Sequence, residues 1–265
     1  MIKDITIGQY FPGDSIIHKL DPRVKILAVA IYIVAIFLIN NIFIYFPLTL
    51  LVLLILKTTK IPIKFVMKGL KPLRFIIILT FLINIFMTQG EVLTKFWIFT
   101  ITKEGLNTAI FMALRLVFLV LGTSLLTLTT SPIALTDGLE SIMRPLSKIG
   151  FPSHQLAMMM TIALRFIPTL FEEADKIIKS QTARGADFES GNIIKRAKNL
   201  VPLLVPLFIN SFRRADELAT AMEARCYRGG DGRTRLNELV FVKRDYLGMI
   251  LIFLFLAIIF GTRYI

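Results

Sequence analysis

From Ile26 to Leu56 the chain carries no charged side chain, and this stretch restricts the fold more than any other. As one helix it would be about 46 Å long, against a hydrocarbon core of about 30 Å. It must therefore form one strongly tilted span or two shorter ones. Asn40-Asn41 near its middle offers a turn, which favours two. The composition agrees with a membrane setting: 55% of residues are hydrophobic and only 18% charged. An all-α, polytopic membrane protein is the expected fold class.

The rest of the chain follows in the same terms. Met1 to Arg23 holds no sustained periodicity and reads as a cap or loop. A helix then starts at Asp21-Pro22, where Asp can cap and Pro suits the first turn. Between Lys57 and Arg74 lie six basic residues (Lys57, Lys60, Lys64, Lys68, Lys71, Arg74) and no acid, so this segment is expected to be a cytoplasmic loop. Phe75 to Gly90 is a third span, short unless its flanks snorkel. Glu91 to Glu104, with Trp97, is a loop on the far side. Leu116 to Thr136 is the fourth span and Tyr246 to Thr262 the fifth. This places the N-terminus inside and the C-terminus outside. Three regions result: four spans in 1–136, cytoplasmic helices in 137–235 and a closing span in 236–265.

Charge sets further bounds. The formal net charge of +13 comes from basic residues that alternate with apolar spans instead of covering one soluble face. This indicates topology and attraction to an anionic lipid bilayer, with no nucleic acid as partner. Lys176 to Arg244 holds fourteen basic and seven acidic residues, as a cytoplasmic segment would. Cys226 is the only cysteine, so no intrachain disulfide can form. The N-terminus lacks the basic, apolar and small-residue succession of a removable signal peptide.

Within the cytoplasmic region two amphipathic helices are expected. The first has Met159, Ala163, Phe166, Leu170, Ala174 and Ile177 at helical spacing, and the second Leu204, Phe208, Ser211, Ala215, Leu218 and Met222. Pro168, Pro202 and Pro206 should kink them. The two segments repeat one another. Phe171, Ala174, Asp175, Ile177, Ala183 and Arg184 correspond to Phe212, Ala215, Asp216, Leu218, Ala224 and Arg225. Each helix thus ends in an Ala-Arg pair, followed by Gly185 in one case and Cys226 in the other. An arginine there can simply satisfy the helix dipole. Its recurrence with matching Phe, Ala and Asp suits a chain that grips two related but non-identical partners through guanidinium forks.

Catalytic chemistry is poorly represented. His18 and His154 are far apart, no phosphate-binding Gly-x-x-x-x-Gly-Lys-Ser/Thr loop occurs, and no aspartate-rich run could hold divalent ions. Met158-Met159-Met160 reads as helix packing or an adaptable contact surface. Arg115 and Arg165, at or near spans, are either snorkelling or functional. A self-contained channel or secondary carrier would show polar residues in mid-span or broken helices in related halves. A membrane enzyme would show a carboxylate or histidine cluster at one interface.

Four motifs carry a resemblance over nearly the whole chain: Asp21-Pro22-Arg23-Val24-Lys25, Thr129-Thr130-Ser131-Pro132, Ala163-Leu164-Arg165-Phe166-Ile167-Pro168, and the paired Ala-Arg motifs. With these the chain resembles the transmembrane T component of energy-coupling factor transporters, the prokaryotic importers of vitamins and metal ions. The resemblance implies a non-catalytic subunit that binds no cofactor itself, ATP being held by two ABC-type ATPase partners. It also implies one substrate-binding membrane S component at a time. Arg184 and Arg225 would dock on the ATPases, with Ala183, Gly185 and Ala224 allowing close approach. At Cys226 this sequence departs from the Ala-Arg-Gly pattern, so a left-handed turn is not expected there. Gly8-Gln9-Tyr10-x-x-Gly13 and the motif order resemble the group whose T component is shared among vitamin binders.

Overall fold

A computed structural model describes residues 10–39, 41–96, 99–188, 192–229 and 238–262. Gly8, Gln9, Asn40 and Trp97 lie outside them. Two compact units are formed, one by residues 8–141 with 238–265 and the other principally by 142–237.

In the first unit, α1 (Pro22–Leu38) starts as the sequence suggests: Asp21 is its N-cap, accepting a hydrogen bond from Arg23 N, and proline occupies the first turn. The uncharged stretch does divide near its middle. A single 3₁₀ turn (Ile42–Ile44) leads into α2 (Tyr45–Thr59). Arg115, from the later helix α5 (Lys103–Thr129), explains what stabilises the break. Its guanidinium donates to the Ile39 carbonyl at 3.2 Å and lies over the rings of Phe37 and Phe111. A carbonyl freed at a helix end in an apolar setting is costly unless a donor reaches it. Arg115 therefore serves the fold at this break.

The expected loop from Lys57 to Arg74 is instead mostly helical. α3 (Ile63–Leu70) follows Pro62 and is joined at a 58° bend to α4 (Arg74–Met87). Counting charges hid this helix, because its apolar residues Ile63, Val66, Met67 and Leu70 recur at helical spacing between the lysines. Glu91 to Glu104 also holds more order than expected. β1 (Val92–Phe96) and β2 (Phe99–Thr102) pair antiparallel, with Val92 opposite Thr102 and Phe96 opposite Phe99. The fourth span starts earlier and ends sooner than Leu116 to Thr136: α5 stops at Thr129, and α6 (Pro132–Met143) begins after Thr130-Ser131. Ser131 Oγ accepts from Ala134 N, as an N-cap does, and Pro132 suits the first turn.

Among the described residues, three helices are long and apolar enough to cross a bilayer, Ile42–Thr59 including its 3₁₀ turn, Lys103–Thr129 and Lys243–Gly261, and the bent α3–α4 pair could supply a fourth crossing. α1, at 17 residues, sits at the lower limit for a span. The core joins α1, α2, α5 and the last helix α9 (Lys243–Thr262) through Ile36, Ile39, Leu48, Val52, Phe118, Leu128 and Ile259. Tyr45 stands edge-on to Phe111 with ring centres 5.3 Å apart. Between helices in lipid such contacts act by close packing, since the surrounding hydrocarbon is equally apolar.

A polar knot ties three helix ends in this unit. The Asp21 backbone N–H donates to Asp245 Oδ1 at 2.9 Å, and Val242 N to Asp245 Oδ2 at 2.8 Å. Arg23 pairs with Asp21, donates to the Leu239 carbonyl and lies 4.6 Å from the Phe241 ring centre. Lys25 Nζ donates to the carbonyls of His18 (2.9 Å) and Thr129 (3.0 Å). Two motifs from opposite ends of the first 132 residues thus meet here. Asp245, 1% exposed, completes the knot.

Candidate functional site

The second unit is built on α7 (Ser153–Ala183) and α8 (Ile193–Ala224), 31 and 32 residues long. Both match the expected segments, and Pro168, Pro202 and Pro206 lie inside helices that continue past them. The pair is antiparallel and held at three levels. At one end Tyr227 Oη donates to Met158 Sδ at 3.0 Å and lies 3.5 Å from His154 Nε2. Midway, Glu173 Oε1 accepts from Asn210 Nδ2 at 2.6 Å and Glu173 Oε2 pairs with Arg214 at 3.1 Å. At the other end Asn199 Nδ2 donates to the Asp187 carbonyl.

These contacts obey the internal repeat. The offset of 41 residues that carries Arg184 onto Arg225 also carries Glu173 onto Arg214. The central ion pair therefore joins equivalent positions, as happens only on the twofold axis of an antiparallel pair. The same offset takes Met158 to Asn199 and Asp187 to Arg228, the neighbour of Tyr227. One terminal clasp is thus the approximate image of the other. Each helix runs 11 residues from the axis to its arginine, 173 to 184 and 214 to 225, or about 16 Å. Arg184 lies beside the start of α8 and Arg225 beside the start of α7, so the two are about 33 Å apart along the pair.

The helix ends match closely. Arg184 (φ −89°, ψ 7°) and Arg225 (φ −91°, ψ 13°) are the terminal residues. After the first, Gly185 N donates to Thr182 O at 2.9 Å and Ala186 N to Gln181 O at 3.0 Å. After the second, Cys226 N donates to Glu223 O at 2.8 Å and Tyr227 N to Met222 O at 3.0 Å. Both are Schellman caps. This corrects the expectation at Cys226, which adopts the left-handed turn (φ 55°) as Gly185 does (φ 87°). Its two cap bonds, and the Tyr227 side chain anchored on α7, hold the backbone there despite the Cβ.

Ala183, Arg184, Gly185, Ala224, Arg225 and Cys226 are all exposed. Neither guanidinium has a partner among the described residues, so each presents a fork of donors at the end of a long helix. The arrangement suits recognition of carboxylates or carbonyl groups at two separated places.

The remaining candidates have local tasks. Asp175 pairs with Lys179 one turn on, at 2.6 Å. Arg165 is exposed. Of the three methionines, Met158 meets Tyr227 while Met159 and Met160 are exposed. Only part of the expected apolar stripes is covered: Ala174 is buried, whereas Leu204 and Phe208 on α8 are exposed. His18 Nε2 donates to the Phe11 carbonyl (3.1 Å), which leaves Nδ1 to accept from Ser15 Oγ (2.7 Å). Burial holds this imidazole below its usual 6.5. Glu173, Asn210, Arg214 and Tyr227 were not singled out as helix-pairing residues from sequence. The offset itself could have found the first and third, because it aligns an acid with a base.

Comparison with known proteins agrees with this architecture. Residues 13–236 match the cobalt transport protein family CbiQ. The chain is 63% identical to the energy-coupling factor transporter transmembrane protein EcfT of Clostridium kluyveri, covering 93% of this chain and 92% of that one. It is 57% identical to the protein of that name in Acidaminococcus fermentans, covering 98% and 97%, and 47% identical to that of Bacillus subtilis, covering 99% and 100%. Identity at this level over almost the full length shows that the chain belongs to the EcfT/CbiQ family, the non-catalytic transmembrane components of energy-coupling factor transporters.

Proposed function

We propose that this subunit couples ATP hydrolysis by two partner ATPases to uptake of a vitamin or other micronutrient held by a separate membrane S component. The observation that carries the proposal is the pseudo-twofold α7–α8 pair, with a matching capped arginine at each far end. Two similar sites related by a twofold axis fit two similar subunits that themselves form a dimer. ATP stays on those subunits, and this chain needs no cofactor. The N-terminus and the coupling helices face the cytoplasm of a multi-pass protein in the cell membrane, on the same side as the basic segment from Lys57 to Arg74.

In this reading Arg184 and Arg225 dock with Ala183, Gly185, Ala224 and Cys226 around them. Closure of the ATPase dimer on ATP shifts the two helix ends. The paired helices transmit that shift to the membrane part and the S component it holds. Truncating a docked arginine leaves its partner group unsatisfied and typically costs about 2–5 kcal/mol. The test is co-purification from native membranes with wild type and with Arg184→Ala plus Arg225→Ala. Two ATPases and a small hydrophobic protein should accompany wild type, and the ATPases should be lost from the double variant. Full retention of the ATPases would contradict the docking role.

A further inference from the structure

We propose that α3 is an anionic-phospholipid binding element, distinct from the arginine sites and independent of the docking reading. Its three faces differ in chemistry. Val66 is 1% exposed, and Gly69 lies directly against Ser124 of α5, where a Cβ would come within 2.6 Å of the hydroxyl oxygen. This fixes the inner face. Lys64, Lys68 and Lys71 recur at i, i+4 and i+7, which puts their stripe on the side turned away from α5. On one flank Ile63 and Met67 are 60% and 53% exposed.

Lys57, Lys60 and Arg74 extend the charge at both ends, and all six cations are exposed with no acidic residue between 57 and 74. None of the six side chains forms a hydrogen bond or ion pair among the described residues. Lys68 Nζ makes a cation–π contact, 5.1 Å from the centre of the Phe65 ring. A short helix between two apolar helices, with free cations along one stripe and exposed apolar side chains beside it, is complementary to a headgroup layer over hydrocarbon. Phosphate oxygens of a phosphatidylglycerol-like lipid would meet the lysines while its chains cover Ile63 and Met67. The occupant is the membrane's own anionic lipid, because the free cations and the exposed Ile63 and Met67 adjoin on one short helix that joins two apolar helices.

The experiment is native mass spectrometry of the full chain from nanodiscs of phosphatidylcholine mixed with phosphatidylglycerol. Wild type should retain phosphatidylglycerol in preference. Lys64→Gln with Lys68→Gln and Lys71→Gln should lower that preference by about tenfold or more. An equal charge change elsewhere, Lys148→Gln with Lys176→Gln and Lys198→Gln, should leave it intact. The Lys→Arg triple at α3 keeps the charge and should keep the preference, which separates lipid binding from misfolding. Overturning results are no preference in wild type, equal loss in the control triple, loss in the arginine triple, or crosslinking of Lys68 chiefly to a co-purifying protein in native membranes.

Discussion

Cys226 shows how a single side chain is held against its own preference. A left-handed turn costs an L-residue about 1–2 kcal/mol, yet glycine there would add chain entropy to the unfolded state. Cys226→Gly should therefore leave thermal stability in detergent unchanged or raise it by up to about 1 kcal/mol. Cys226→Val should lower it by more than that, because branching at Cβ worsens the clash. A stabilising Val would show that the turn opens readily. His18 makes a second case, with the sign set by burial. Its folded pKa is depressed by desolvation, against the pull of its hydrogen bond to Phe11. Below about 6.5 the unfolded chain takes up a proton that the folded one resists, so stability falls as pH drops through that value toward the lower folded pKa. The unfolding midpoint should decline between about pH 7 and about pH 5, and the decline should be shallower in His18→Gln.

Among elements, the α7–α8 pair turns on Glu173. Its carboxylate is largely covered while Arg214 is about a third exposed, 18% and 35% by side chain, so the ion pair itself is worth about 1 kcal/mol after screening. Its position on the axis makes it useful beyond that figure. Glu173→Arg or Arg214→Glu puts like charges at the crossing and should uncouple ATPase activity from uptake. The exchange of both should recover much of the loss, and a double variant no better than either single change would deny the pair that role. At this scale the sequence was legible where patterns were long. The start of α1 at Asp21-Pro22, the division near Asn40-Asn41 and both amphipathic helices could be read directly. The helix α3 was hidden because charge density and helical periodicity coincide there. The end of α5 was missed because Thr129 to Thr136 is apolar enough to prolong a span, while Lys25 and the Ser131 cap define its actual limit. Asp245 could not be foreseen as a partner of Asp21, since 224 residues separate them.

For the whole molecule, the repeat was readable as two similar helices, but not as a twofold arrangement. Equivalent residues show a symmetric pair only once the antiparallel contacts at 158–227, 173–214 and 187–199 are known. That geometry gives the account its central claim: two capped arginines at opposite ends of one rigid pair drive a common motion through two similar partners. The claim predicts strong non-additivity, because either end alone leaves the pair free to swing about the other. The most direct measurement is substrate uptake together with ATP hydrolysis in proteoliposomes holding the complete complex, for Arg184→Ala, Arg225→Ala and the double variant. Each single change should reduce uptake and loosen its coupling to hydrolysis, and the double variant should lose uptake almost entirely. Near-normal uptake by the double variant would contradict the account.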